Sequence, residues 1–421
     1  MEEVTSSEYI ADGPAMVNIW GKTDEADGDM KNSAGDELRT YRAAILGCRS
    51  RGSAAARAYH QHPRTELVGL CDLIEERRNF LGDELGVMAR YDDFQRMIEV
   101  ERPDIVAIPT GTEFHYEMAM AVLDLGVHID IEKPLCQTLD EADRVLTKAA
   151  QNSVQIAVHH QGRCGGEMRA LQLALAQGRI GRVRYLQGSG KGYYAGYGLM
   201  NIGTHTLNNM LGIAGHCQSV SATALIDDRS ITPDDVIPAA NGMGWIAGEH
   251  ITAQLTFADA VTATLLQHRF PTVDSTAHAL EVYGSTGRLF WRSNGAWFLP
   301  VPHDEPASQA DWENLEPVRP DSFDATGSAS EADYAFVDEY VEALDEGRPH
   351  SCSGHEGRHV MEIMMGIFES AAQGHRVDLP QTERHHPLLK WREQHGLTEP
   401  GLMPRPYNEW LAAEDNRIGR S

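Results

Sequence analysis

The sequence predicts an α/β protein in two parts: a parallel sheet covered by helices on both faces, then an α/β domain built on a large, mostly antiparallel open sheet. Three observations carry this. Between residues 42 and 158 short apolar runs alternate with helical stretches of about 10–15 residues, the rhythm of βαβ units. At 43–59 an apolar run ends in a glycine turn and passes straight into a helix. Beyond residue 178 strand follows strand with short turns, a pattern that favours antiparallel pairing.

The elements follow in order. Residues 1–38 are acidic and rich in Gly, Asp and Ser, without a sustained period, and predict a mobile or loosely docked arm with "MVNIW" (16–20) as an anchor. "AAIL" (43–46) is the first strand, and a helix is expected from Ser53. "ELVGLC" (66–71) is the second strand, ending at Asp72; "IEERRNFLGDELG" and "DFQRMIEV" are helical. "DIVAIPT" (104–110) is a strand, and "HYEMAMAVLDLG" is a helix with a glycine stop. "VHIDI" (127–131) spaces Val127, Ile129 and Ile131 by two, as a buried strand does. "TLDEADRVLTKAA" opens on a Thr138/Glu141 capping box, and "VQIAV" (154–158) closes the series.

After the helix "GEMRALQLALAQG" (166–178) come "RVRYLQGS", "QSVSATALI", "ITAQLTF", "VTATLLQHR", "ALEVYGS" and "GRLFWR", all strand-like. Helices return with "EADYAFVDEYVEALDEG" and "GRHVMEIMMGIFESAAQG". The end carries Pro380, Pro387, Pro400, Pro404 and Pro406 with two tryptophans, and predicts an ordered wrapping tail. The expected divisions are an arm (1–38), a nucleotide-binding domain (39–163), a substrate and assembly domain (164–380) and the tail (381–421).

A chain of 421 residues exceeds what one core usually serves. Its 62 acidic residues against 36 basic ones give a net charge of −26, which argues against nucleic acid or anionic membranes as partners. No apolar run approaches the ~18 residues of a membrane span, and the acidic N-terminus lacks the basic and apolar segments of a signal peptide. Six scattered cysteines without CxxC spacing predict reduced thiols and a cytoplasmic protein. His350, His355, His359, His385 and His386 cluster in sequence, but no carboxylate completes a metal spacing, so no metal is expected.

The turn at 47–52 has Gly47 and Gly52 at the first and third positions of G-x-G-x-x-G, with Arg49 at the second. Arginine there must swing clear of a pyrophosphate or clamp one of its oxygens. A generic strand–helix turn fits the pattern too. Asp72 lies 25 residues after Gly47, at a strand end where a carboxylate accepts from ribose hydroxyls and repels a 2′-phosphate; Leu73 follows, not an arginine. NAD is therefore expected over NADP, held by Gly47, Arg49, Ser50, Arg51, Gly52 and Asp72. Glu132, Lys133 and Pro134 end the 127–131 strand with opposite charges and a rigid stop. A surface ion pair beside a turn would explain an isolated EKP. At the carboxyl edge of a parallel sheet, where open α/β folds bind ligands, Pro134 instead presents Lys133 at a defined angle and Glu132 neutralises local charge.

These elements in this order resemble the glucose–fructose oxidoreductase / inositol dehydrogenase (Gfo/Idh/MocA) family. The resemblance adds "AIPTGTEFH" (107–115), "IEKPL" (131–135), "GRIGRV" (178–183) and "NIGTHTLNNML" (201–211), and spans residues 40–380. It implies a nicotinamide-dependent enzyme acting on sugars, polyols or related compounds, with Lys133 in the cleft near nicotinamide and substrate. A D-x-x-x-H pair of the second domain maps onto Asn201 and His205, so an amide stands where the family has a carboxylate. The resemblance also implies that Pro109, Thr110, His115, Glu132 and Arg163 line the cofactor, though structural roles for His115 and Arg163 fit as well. "GKGYYAGYG" (190–198) offers Lys191, Tyr193, Tyr194 and Tyr197 to a substrate's hydroxyls or to an anionic substituent.

Chemically, hydride can leave a secondary alcohol only if its proton goes to a base within hydrogen-bond reach. His205 suits that role, Lys133 can stabilise the alkoxide-like charge, and four residues of helix put 201 and 205 on one face. Asn201 cannot stabilise an imidazolium as an aspartate would, so a less basic His205 is expected. The reading is an NAD-dependent oxidoreductase for a sugar, glycoside or cyclitol, forming a homodimer or homotetramer through the C-terminal sheet. A hydrolase that uses transient oxidation, elimination and re-reduction needs the same site, and a non-catalytic NAD-binding sensor is a third reading.

Overall fold

The computed structural model describes residues 38–302, 305, 312–401, 403 and 405–420. The arm expected over 1–38, with its MVNIW segment, lies outside the described residues except for Leu38.

The first part alternates strand and helix: β1 (Tyr41–Leu46), α1 (Ser50–Gln61), β2 (Thr65–Cys71), α2 (Glu75–Leu85), β3 (Arg90–Tyr91), α3 (Phe94–Glu101), β4 (Ile105–Ile108), α4 (His115–Asp124), β5 (His128–Ile131), α5 (Leu139–Gln151) and β6 (Ile156–Val158). All pairings are parallel, in the order β3-β2-β1-β4-β5-β6. The strand order reverses between β1 and β4, the switch point at whose carboxyl ends open α/β sheets bind their ligands. Gly47, Pro109 and Glu132 are the residues that follow β1, β4 and β5, so the site-bearing loops converge by topology. The Thr138/Glu141 capping box starts α5 with both reciprocal hydrogen bonds formed. β3 is only two residues long and shows no period of its own.

The second part begins with α6 (Gly166–Ala176), β7 (Val183–Ser189), α7 (Ala195–Gly198), a π-helical turn at Leu199–Gly203 and α8 (Thr204–Ala214). The long strands β8 (Cys217–Ile226), β12 (His250–Phe257) and β13 (Thr262–His268) follow, with the short β9 (Arg229–Ser230), β10 (Ile237–Pro238) and β11 (Trp245–Ile246) between β8 and β12. Then come β14 (Ala279–Gly284), β15 (Arg288–Arg292), β16 (Gly295–Leu299), β17 (Glu313–Leu315), α9 (Glu331–Glu346), α10 (Gly354–Gln373) and β18 (Val377–Asp378). The large sheet runs β17-β16-β15-β14-β7-β13-β12-β8-β18, with β9 on β8, and every pairing is antiparallel except β7 with β13. Alternate residues of β12 and β13 are buried, so one face carries the core and the other faces outward.

Two long-range features depart from a simple division at residue 163. Helix α9 packs on the first domain: Phe336, Val337 and Tyr340 share a core with Tyr41, Ile45, Tyr59 and Ile105, and the Tyr340 hydroxyl donates to the Ile129 carbonyl at 2.9 Å. The tail folds into α11 (Pro387–Gln394) and α12 (Tyr407–Arg417). Trp410 is fully buried there, and its indole N–H donates to the Pro238 carbonyl at 2.7 Å.

Candidate active site

The first wall is the turn after β1. Gly47 takes φ +104°, and its N–H donates to the Cys71 carbonyl at 2.6 Å. A Cβ on Gly52 would lie 1.7 Å from the Gly47 carbonyl oxygen, so only glycine lets α1 approach the turn this closely. Helix α1 starts at Ser50, three residues before the expected Ser53, because Arg49 is already its extended N-cap. Arg49 and Ser50 are exposed, and Ser50 holds φ +30°, a value rare outside glycine. Asp72 accepts from the Cys48 N–H on one oxygen and the Ile74 N–H on the other, both at 2.8 Å. Each oxygen keeps lone pairs for a diol. Pro109 packs against Gly52, Thr110 lies beside Gly47, and the buried Thr110 hydroxyl has no protein partner. A glycine cradle, a poised carboxylate and an orphan hydroxyl fit a dinucleotide.

Arg51 and Glu132, both expected at the cofactor, are paired with each other in this structure. The Arg51 guanidinium bridges Glu132 and Asp333, at 2.6 Å to each, and so ties the turn helix to the EKP loop and to α9. Asp333 also meets His159 at 3.0 Å, and His159 meets Asp130 at 2.9 Å. Burial pushes the His159 pKa down, but Asp130 and Asp333 outweigh it and raise the value to about 10. Three carboxylates and two cations are thus paired beneath the site.

Lys133 leaves this layer and crosses to the second domain. Its ammonium donates to Asn201 Oδ1 at 2.8 Å and to the Asn201 carbonyl at 3.2 Å. Burial lowers its pKa, with Glu132 pulling the other way. The Asn201 amide N–H donates to the Tyr197 hydroxyl at 3.3 Å, and Asn241 donates to the same oxygen at 2.9 Å. Asn201 therefore serves Lys133 and Tyr197, and does not orient the imidazole. It sits in the π-helical turn, where the wider coil alters the facing expected from four residues of α-helix. His205 lies in the first turn of α8, and its ring makes no hydrogen bond among the described residues. Burial and then the Lys133 charge hold its pKa well below the usual imidazole value. His160 packs edge-on to it at 5.4 Å and bonds the Thr204 hydroxyl at 2.8 Å.

Three further candidate residues have their side chains engaged within the protein. His115 is fully buried, with one ring nitrogen 2.8 Å from the Pro134 carbonyl and the other 3.3 Å from that of Thr110. It braces the β4 loop against the EKP loop, the structural role that is the alternative to lining the cofactor. Arg163 is committed to Glu356 at 2.6 Å and to the Asn208 carbonyl at 3.4 Å, packed against Gly212 of α8. Tyr194 is fully buried, its hydroxyl donating to Glu414 at 3.1 Å and its ring against Trp410. Tyr193 and Lys191 stay half-buried on the same loop. The histidines from 350 to 386 are dispersed, and no group of three His, Cys, Asp or Glu side chains among the described residues is placed to hold a metal.

Sequence reasoning missed Tyr407, Asn241, His160 and Asp333. Tyr407, from the tail, stacks on Tyr197 with ring centres 4.7 Å apart and meets Tyr193 edge-on at 4.9 Å. None of the four belongs to a local pattern; "HH" at 159–160 was the one visible signal.

Residues 41–160 match the oxidoreductase family, NAD-binding Rossmann fold, and residues 173–379 match the C-terminal alpha/beta domain of the same family. The chain is 30% identical to a 1,5-anhydro-D-fructose reductase of Ensifer adhaerens over 28% of this chain, a match spanning 35% of that relative's length. It is 22% identical to a D-apiose dehydrogenase of Rhizobium rhizogenes over 81% of this chain and 98% of the relative. A levoglucosan dehydrogenase solved with NADH and levoglucosan shares the fold at a TM-score of 0.66 and 17% identity, over 82% of this chain and 100% of that one. With a nucleotide-binding and a C-terminal domain both matched in sequence order, the chain belongs to the Gfo/Idh/MocA oxidoreductase family.

Proposed function

We propose that this protein is an NAD-dependent oxidoreductase that moves hydride between nicotinamide and a secondary hydroxyl or ketone of a sugar, glycoside or cyclitol. The observation that carries the reading is the cross-cleft contact of Lys133 with Asn201 at 2.8 Å, with His205 one turn further on. Gly47, Gly52, Asp72, Pro109 and Thr110 would hold NAD, which supplies the hydride acceptor when bound. Lys133 binds the reacting oxygen and stabilises the negative charge that grows on it. His205, kept neutral by burial, takes the hydroxyl proton. Asn201 holds Lys133 in place without neutralising it. Sugar substrates are supported by the relatives' names: an anhydrofructose reductase, an apiose dehydrogenase and a levoglucosan dehydrogenase.

The outward face of the large sheet is the surface for a homodimer or homotetramer, which the mass in solution tests. Six free, buried cysteines suit a reducing cytoplasm; no helix among the described residues is long and apolar enough to cross a membrane. The functional test is a panel of sugars, glycosides and inositols, following NADH absorbance and released aglycone together. Accumulating NADH supports the reading. Aglycone release without NADH accumulation marks a redox-neutral hydrolase instead, and NAD binding without any turnover marks a sensor.

A further inference from the structure

The buried carboxylates beneath the site are not equally well partnered. Asp333 accepts from three donors: Arg51 at 2.6 Å, His159 at 3.0 Å and the Ser330 hydroxyl at 2.5 Å. Asp130 is held by His159 at 2.9 Å and by the Tyr59 hydroxyl at 3.1 Å. Glu132 has less. Its side chain is only 9% exposed, and among the described residues its one ion pair is with Arg51 at 2.6 Å. The other donor to it there is the backbone N–H of Lys133, at 3.3 Å.

One guanidinium thus serves two carboxylates, and its loss would strand one of them. Asp333 would keep His159 and Ser330, whereas Glu132 would keep a single backbone N–H. A nearly buried carboxylate without a counter-charge is costly and draws in any cation within reach. His159 is not free to answer, because Asp130 and Asp333 engage both of its ring nitrogens. Lys133 is free. It makes no ion pair among the described residues, and its ammonium rests on two neutral oxygens of Asn201, at 2.8 and 3.2 Å. Its flexible four-carbon stem starts one residue from Glu132, long enough to curl back to it. The charges agree with the contacts: burial lowers the Lys133 pKa, Glu132 raises it and Arg51 lowers it.

We infer that Arg51 is a positioning residue for Lys133: by occupying Glu132 it keeps that carboxylate from capturing the ammonium, which stays extended across the cleft to Asn201 and the reacting oxygen. The inference rests on the oxidoreductase reading for what Lys133 does there, and on the contacts for where Lys133 lies. It also gives Arg51 a use within the glycine turn other than clamping a phosphate.

The test joins crystal structures to kinetics for wild type, Arg51→Met, Arg51→Lys and the double variant Arg51→Met/Glu132→Gln. In Arg51→Met the Lys133 ammonium should leave Asn201 for the Glu132 carboxylate. At saturating NAD⁺, kcat on the best sugar or polyol should fall at least about tenfold. NADH affinity, measured by calorimetry, should change less than about threefold. Adding Glu132→Gln should return Lys133 to Asn201 and recover most of the lost kcat, a non-additivity that a purely structural role does not produce. Arg51→Lys, which keeps a cation beside Glu132, should recover part of the loss. If Arg51→Met does not fold, Arg51→Gln takes its place with the same expectations. Lys133 still on Asn201 in the single variant, or a double variant as slow as the single one, would overturn the inference. So would a loss confined to NADH affinity, which would make Arg51 a phosphate ligand. Failure of the wild type to form NADH from any substrate would sink the oxidoreductase reading alone, since the position of Lys133 in the crystals still decides this inference.

Discussion

The side chain at position 201 decides how much charge Lys133 keeps. An amide accepts the ammonium's hydrogen bond but returns no negative charge, so nothing at position 201 offsets the Lys133 charge that acts on His205. Placing a carboxylate there should stabilise both the ammonium and the imidazolium. In Asn201→Asp, more His205 is protonated at any given pH, and the base form appears only at higher pH. The acidic limb of the kcat/KM profile should therefore move toward higher pH than in the wild type. A limb that stays in place or moves to lower pH would mean that His205 is not the titrating base.

The elements that build the site differ in how far sequence could reveal them. A strand between two helical layers announces itself, as β1 and β5 do, because both faces must be apolar and a turn must follow. The loop positions of Gly47, Asp72 and Lys133 were readable for that reason: each lies where a strand ends. The π-helical turn was not, since one extra residue in the coil leaves the apolar pattern of Leu199, Met200 and Ile202 unchanged. Nor could spacing alone separate Tyr193 from Tyr194; which ring turns inward depends on Trp410 and Glu414, more than 200 residues away. Arg51 illustrates the same limit, because its partner Asp333 arrives on a helix from the second half of the chain.

The tail is the element whose contribution is most open to measurement. Tyr407 stacks on Tyr197, Tyr197 receives Asn201, and Asn201 holds Lys133, a continuous line from α12 to the EKP loop. Tyr407→Ala removes the stack and should lower kcat/KM about tenfold, the size expected when aromatic contacts worth ~0.5–1.5 kcal/mol each are lost. Tyr407→Phe gives up the hydroxyl that accepts from the Tyr194 N–H at 2.8 Å but keeps the ring, and should retain most activity. Steady-state kinetics on both variants, with melting curves to confirm folding, distinguish the stack from the hydrogen bond.

Across the whole molecule, charge is arranged in two ways. Beneath the site, cations and carboxylates are matched one against another, as in Arg51 with Glu132 and Asp333. Over the chain as a whole, 62 acidic residues exceed 36 basic ones, and the surplus repels itself. Raising the salt from about 0.1 M to about 1 M shortens the screening length from ~10 Å to ~3 Å. It should raise the melting temperature, because relief of the surplus outweighs weakening of exposed pairs worth ~0–1 kcal/mol each. A falling melting temperature would show that the surface ion pairs dominate.

The central claim is that Lys133 and His205 act together on a sugar hydroxyl beside NAD. Its most direct measurement is the single-turnover rate of NADH formation, on the best substrate of the panel, for wild type, Lys133→Met and His205→Ala, each with an unchanged melting curve. Loss of an electrostatic stabiliser and of a general base should each cost at least about a hundredfold. Full turnover in both variants would contradict the account.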